Sequence, residues 1–324
     1  MGVNLKRIHV YPVNSARGIS PASWHAGRSG FDYDRFWAIV DAAGRLITQR
    51  TLPRLALLHI DLSADGWLRL GAPGMSTLRI EPFGIEALAT ERRETRMAAA
   101  GRAPGAATVL AGSVGLALGA GRREDDPPRS SNGGRKWTAW ASAMSRLARV
   151  MIGRDALEAL DAGPEAASWI SEFLGHRARL VRMSEGATRC PERRCGAPAD
   201  RIRFADAFPY LLLAEESLAD LNARLVEPLP MSRFRPNLVL SGCAPYAEDT
   251  WSRVRIGAVE FRVARPCSCH LEATIDPQTG QRGAEPLRTL RTYRTREGGV
   301  MFGQNLIPCG EGVLRVGDPV EVLA

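Results

Sequence analysis

The sequence predicts a mainly β chain of the α+β class, folded as two lobes with few helices. Three observations predict it. Short alternating apolar segments recur between turn-forming residues over the first ninety positions and again beyond residue 237. The clearest helical periodicities lie between them, just after Gly163-Pro164 and over 214–225. With 324 residues, 45% hydrophobic and 24% charged, the chain has a globular composition and enough length for two cores.

Taken in order, Leu5, Ile8 and Val10 alternate with Lys6 and Arg7, which suits a first strand and not the apolar segment of a signal peptide. Tyr11-Pro12 ends it. Phe36–Asp41 and Leu46–Thr48 flank Ala42-Ala43-Gly44, with glycine where a hairpin wants it. Leu55–Leu62 and Trp67–Leu70 flank Ser63-Ala64-Asp65-Gly66, a second hairpin. Strands this short and this closely spaced suggest a barrel or sandwich.

From about 91 to 145 the chain turns Ala/Gly-rich and then charged and Pro/Gly/Ser-rich, the composition of a loose insertion that buries little apolar surface. Order returns with Ala156–Leu160. A helix follows Gly163-Pro164, with Ala166, Trp169, Ile170, Phe173 and Leu174 on one face and Gly175 as its stop. A second helix spans about 214–225, with Leu218, Leu221 and Leu225 inward. Strands then resume at 237–240, 254–256, 259–263, 313–316 and 320–323, with Gly257-Ala258 and Gly317-Asp318 as hairpin turns. The predicted division is an N-terminal domain over 1–182, carrying the insertion, and a C-terminal domain over 183–324.

The same reading excludes some function classes. No run of about 18 apolar residues occurs, so no membrane span is expected. No basic run is interleaved with aromatics, so nucleic acid is not an expected partner. The net charge of +8 comes almost wholly from arginine, which suits an anionic ligand as well as a compositional bias. Without a secretory signal the six cysteines are expected to be reduced thiols in a cytoplasmic protein. Cys190 and Cys195 lack a second pair at zinc-ribbon spacing and read as loop thiols.

Three stretches concentrate rigid, polar and reactive residues. The first joins Tyr11-Pro12-Val13-Asn14-Ser15 to Asp34-Arg35-Phe36-Trp37 and Thr48-Gln49-Arg50. The second joins Asp206-Ala207-Phe208-Pro209 to Arg233-Phe234-Arg235-Pro236-Asn237. The third runs from Pro266-Cys267-Ser268-Cys269-His270 through Asp276-Pro277 to Phe302-Gly303-Gln304-Asn305. Singly, each has a structural reading: a surface ion pair, a snorkelling arginine, an inert core thiol.

In this order, together with Glu285-Pro286-Leu287 and Val316-Gly317-Asp318, the stretches resemble the MOSC family, with its N-terminal β-barrel domain and its C-terminal MOSC domain. The resemblance spans nearly everything but the insertion. The family includes amidoxime-reducing proteins and the C-terminal domain of molybdenum cofactor sulfurases. It implies a β-barrel domain, a MOSC barrel-like domain with a few helices, and a molybdenum–pterin cofactor held between them. Pyridoxal phosphate is a further ligand associated with the family.

By that resemblance Asn14, Ser15, Arg35, Thr48 and Arg50 would meet the cofactor from the N-terminal side. Arg235, Asn237, Gln304 and Asn305 would hold it from the other, with Asp206 near the pterin edge and Ser268 reaching toward the metal. The implied activity is reduction of small N-hydroxylated compounds, using electrons from a separate donor protein of ferredoxin or flavin-reductase type. Cofactor carriage with sulfur transfer, or a degenerate non-catalytic scaffold, are the alternatives. The family's reductases carry C-S-R-C, its second cysteine on the metal. Counting back from Asp276-Pro277 puts His270 at that position, whereas a one-residue shift puts Cys269 there; both stay open as the catalytic ligand, and so does Cys267. Asn14 stands where the family has lysine, removing one charge from the anchor.

Overall fold

The first strand of the chain and its last ones belong to one sheet. The computed structural model describes residues 2–63, 66–81, 147–152, 155–184, 187, 189–191, 200–296 and 299–324. The insertion expected at about 91–145, and Cys195, lie outside the described residues. Met1–Ile80 and Arg146–Ala324 form one unit.

Its largest sheet runs, in spatial order, through Asn4–Ile8, Leu238–Ser241, Tyr210–Ala214, Gly299–Pro308, Val259–Ser268, Arg253–Ile256 and Val320–Val322. Neighbours pair antiparallel except Tyr210–Ala214 with Leu238–Ser241. A bridge between Asn4 and Pro319, with Leu5 donating to the Asp318 carbonyl at 2.9 Å, brings the two edges together and nearly closes a barrel. Leu5, Phe31, Tyr210, Leu240, Phe261 and Leu306 fill its interior, with Tyr210 edge-on to Phe31 and Phe261. The expected strand at Leu5–Val10 thus closes a barrel built mainly from the C-terminal half.

A second, antiparallel sheet orders Trp37–Asp41, Ala178–Met183, Asp155–Asp161 and Leu147–Ile152. The helix Pro164–Leu174 packs on it and buries the five residues its periodicity names. Pro164 sits in the first turn, where a missing N–H costs nothing. Gly175 ends the helix at φ 63°, the left-handed region that glycine enters freely. The second helix is shorter than its pattern, Glu215–Asn222. A small sheet of His59–Leu62, Leu68–Gly71 and Leu78–Ile80 completes the N-terminal part and contains the hairpin expected there.

Of three local expectations, two are corrected. Pro53 turns Pro53–Leu57 into a 3-10 helix, so the strand expected from Leu55 begins at His59. Leu46–Thr48 is not a regular strand, yet the hairpin expected across 42–44 forms: Val40 bridges Leu46 antiparallel, Asp41 N donates to the Arg45 carbonyl at 2.9 Å and Ile47 N to the Ile39 carbonyl at 2.8 Å. Gly317-Asp318 does turn the chain, but the strands it joins go to different partners. Gly312–Arg315 pairs with Ser23–Gly27 and Val320–Val322 with Arg253–Ile256. Gly257 forms its expected hairpin turn.

Candidate functional site

A cleft open to solvent is lined by residues from both halves of the sequence. Ser15, Arg35 and Arg235 line it, and all three are non-glycine residues at positive φ, 62°, 46° and 55°. Each such conformation costs on the order of 1–3 kcal/mol, and such residues cluster where a ligand is held.

At one end the guanidiniums of Arg35 and Arg235 both sit over the Tyr11 ring, 4.8 and 4.3 Å from its centroid. Tyr11 is buried; its hydroxyl donates to the Pro236 carbonyl at 3.1 Å, and burial pushes its pKa up to about 12. Arg35 is ion-paired to buried Asp34 and donates to Asn237 Oδ1 at 3.0 Å. Burial works against its charge, but the Asp34 carboxylate outweighs burial and holds the guanidinium above its usual range. Arg235 differs. Its Nη1 donates to the Ala16 carbonyl at 2.6 Å, and among the described residues no carboxylate pairs with it. Burial accordingly lowers its pKa, though a guanidinium stays charged. The result is a cation aimed at a cleft without its counter-ion.

Asn14 and Asn237 support this end more than they face a ligand. Asn14 donates to the Phe204 carbonyl and accepts from Ser15 Oγ at 2.8 Å. Buried Asn237 spans three chain segments: Oδ1 accepts from Arg35 and Leu211 N, and Nδ2 donates to the His9 carbonyl.

At the other end the strand Val259–Ser268 runs out into the cleft. Its register shifts between Pro266 and Ser268, and Cys267, Ser268 and Cys269 all line the cleft. Ser268 Oγ packs so closely on Gly299 that a Cβ there would stand 2.9 Å away. Burial first, and then the Asp206 carboxylate, push the Cys267 thiol up to about 11. The Cys269 thiol, packed beside Phe234 and Phe302, is pushed higher, by burial before its neighbours Cys267 and Glu272. His270 is exposed at the cleft mouth. There Arg50 Nε pairs with Glu272 at 3.0 Å and Arg50 Nη2 with Asp206 at 3.6 Å.

Every residue expected at the site lines the cleft except three. Gln304 turns away and donates to Asp249 at 2.8 Å, because strand alternation sends it opposite to its neighbour Asn305. Thr48 is buried in its own turn, where its hydroxyl accepts from Arg50 N. Arg50 reaches the rim only through its ion pairs. Sequence reasoning missed Tyr11, whose role depends on arginines 24 and 224 residues away in the chain. It also missed Arg233, Arg265 and Glu272, which line the cleft. For Arg233 the signal was present in Arg233-Phe234-Arg235; Glu272 lies in a stretch that departs from the family pattern.

Among the described residues no three His, Cys, Asp or Glu side chains converge to hold a metal ion by themselves. None of the helices among them is long and apolar enough to cross a membrane.

Comparison with known proteins places these features. Residues 2–109 match the MOSC N-terminal beta barrel domain and residues 199–321 the MOSC domain. The chain is similar to mitochondrial amidoxime-reducing component 1 of Homo sapiens, 31% identical over 98% of this chain and 82% of that protein. To the Mus musculus protein of that name it is 29% identical over 98% of this chain and 81% of that one. It is also similar to molybdenum cofactor sulfurase of Oryza sativa subsp. japonica, 28% identical over 93% of this chain and 32% of the sulfurase. With both domain models matched in order along the chain and a relative 31% identical over 98% of it, the chain belongs to the MOSC family.

Proposed function

We propose that this protein binds a molybdenum–pterin cofactor in the cleft and reduces small N-hydroxylated compounds with electrons from a separate donor protein. One observation carries the reading: the uncompensated Arg235 guanidinium, stacked with Arg35 on Tyr11 at one end of a cleft whose other end offers two thiols. A partly buried cation without a counter-ion is costly, and an anionic group such as a phosphate removes that cost.

The donor set fits the group. That no three His, Cys, Asp or Glu side chains converge among the described residues suits a metal that arrives with most of its own ligands and takes one more from the chain. Thiolate is the ligand a soft, oxidised metal favours, and Cys269 is the better placed thiol. It is half-buried against the cluster that holds Phe234 and Phe302, while His270 is exposed. Its raised pKa means that the thiol holds its proton until a cation displaces it.

When bound, the cofactor supplies two-electron redox chemistry; N–OH plus two electrons and two protons gives N–H and water. The chain's own residues do the rest. Arg35 and Arg235 neutralise the anionic end, Asn237 fixes Arg35, and the aromatic floor of Phe208, Phe234 and Phe302 narrows the cleft around substrate. The amidoxime-reducing relatives support the substrate class. The test is conversion of an amidoxime to its amidine by cofactor-loaded protein with a reduced viologen as electron source. Stoichiometric product supports the reading, and a loaded protein that forms none contradicts it.

Cofactor carriage with sulfur transfer is a second reading, favoured by the paired thiols Cys267 and Cys269 and the similarity to the sulfurase. It predicts sulfur released from the protein by cyanide, and its loss in Cys269→Ala.

A further inference from the structure

We propose that the rim of the cleft around Leu271 is the docking face for the electron donor, and that the donor is a small acidic one-electron carrier of ferredoxin type. The inference rests on the reductase reading and adds the surface at which electrons arrive.

Leu271 is exposed, and of the large apolar side chains exposed among the described residues it alone has cleft-lining residues on both sides in the chain, His270 and Glu272. It lies two residues beyond Cys269, so its Cα is at most about 7 Å from that of the thiol-bearing residue. A protein resting on Leu271 therefore stands close to the reacting end of the cleft.

A lone exposed leucine is ordinary. The charges beside this one are not, because three guanidiniums without a carboxylate partner among the described residues gather at the loop 275–283. Arg282 donates to the Arg50 carbonyl at 2.7 Å, next to the ion pair of Arg50 with Glu272. Arg17 donates to the Pro277 carbonyl at 2.5 Å and to the Ala56 carbonyl at 3.0 Å. Arg54 backs onto Gly280, where a Cβ would stand 3.6 Å from the Arg54 Cα. Arg54 and Arg282 are exposed. The carboxylates of this rim are already engaged: Asp206 and Glu272 share Arg50, and Asp276 pairs with Arg233 at 3.1 Å. Five guanidiniums thus meet three carboxylates, and the rim is positive.

An apolar contact beside guanidiniums suits a partner that surrounds its redox centre with carboxylates. Opposite charge speeds the encounter, and the leucine contact fixes where it ends. Each visit delivers one electron. Two reduced ferredoxins are oxidised for each N–OH converted to N–H and water, with two protons taken up.

Calorimetric binding of an oxidised acidic [2Fe–2S] ferredoxin to the cofactor-loaded, full-length protein tests the face without turnover. Wild type is expected to bind it with an affinity that falls steeply as salt rises. Arg54→Glu and Arg282→Glu should each weaken binding roughly tenfold, and Leu271→Ser should weaken it at every salt concentration. Arg255→Glu makes the same charge change at an exposed site opposite Glu260, roughly 25 Å from Ser268 along the strand, and should change little. Reduced methyl viologen needs no docking face, so the amidoxime turnover it drives should match wild type in every variant, while KM for ferredoxin follows the binding. Absence of ferredoxin binding by wild type overturns the proposal. So does binding that Arg255→Glu weakens as much as Arg54→Glu, or that Leu271→Ser leaves untouched. Viologen-driven turnover together with any of these results leaves the reductase reading standing and puts the donor elsewhere. Binding that depends on Leu271, Arg54 and Arg282 in a protein that viologen cannot drive supports the docking face while removing the reductase reading.

Discussion

Arg235 and Arg35 stack on the same ring, yet removing the first should leave the cofactor-free protein's stability nearly unchanged and removing the second should lower it. Arg235→Met deletes a cation–π contact worth about 0.5–2 kcal/mol and a charge-assisted hydrogen bond to the Ala16 carbonyl worth about 1.5–3 kcal/mol. It also abolishes the cost of holding a guanidinium partly out of water without a counter-ion, on the order of several kcal/mol. The terms nearly cancel. Methionine fills much of the same volume against Tyr11, so the apoprotein's melting temperature should stay within a few degrees of wild type. Arg35→Met strands the buried Asp34 carboxylate and should cost about 3–5 kcal/mol. For an anionic ligand the two variants converge: each loses charge-assisted bonds, and affinity for cofactor should fall roughly tenfold to a hundredfold. Differential scanning calorimetry on protein from a cofactor-deficient host, beside cofactor content from a competent one, separates the effects. If Arg235→Met melts as early as Arg35→Met and still retains cofactor, Arg235 is a structural brace and the anion-site argument is wrong.

Two further outcomes follow from the fold. Gly303→Ala places a Cβ 2.7 Å from the Leu212 carbonyl at φ 82°, inside the strand that carries Asn305 to the cleft. It should destabilise by roughly 1–3 kcal/mol or prevent accumulation of folded protein, read as a lowered denaturation midpoint. His9 is held near pKa 4 by burial, with Arg7 adding to the effect, and its Nδ1 meets Ser20 Oγ at 2.7 Å. Its folded value lies below the usual 6.5, so the unfolded chain binds the extra proton first. Its contribution is whole above pH 6.5 and declines as pH falls toward 4. Melting temperatures followed over that window should drop in wild type and drop less in His9→Gln; equal slopes would rule out this linkage.

What was legible in the sequence was local. Gly163-Pro164, a 3.6-residue apolar stripe and Gly175 are signals confined to a dozen residues, and they define the helix Pro164–Leu174 almost to its ends. Gly257 marked its hairpin for the same reason. Partner choice was not legible. Val313–Val316 and Val320–Leu323 read as a hairpin because a turn lies between them, but pairing depends on exposed edges elsewhere, Ser23–Gly27 and Arg253–Ile256. At the site, Arg35, Arg235, Cys269 and Asn305, which the resemblance names, line one cleft. It put Gln304 there too, because a motif read as a string does not show which of two adjacent strand residues faces inward. Tyr11 was out of reach. Its role comes from a stacking geometry, which leaves no mark on spacing or composition.

The most direct test of the central claim is the molybdenum and pterin content of protein purified from a cofactor-competent host, for wild type, Cys269→Ala and His270→Ala side by side. Near-stoichiometric metal and pterin in wild type and in His270→Ala, with an altered metal first shell by X-ray absorption only in Cys269→Ala, is the predicted result. An empty wild-type protein, or a metal shell that changes in His270→Ala and not in Cys269→Ala, would contradict the account.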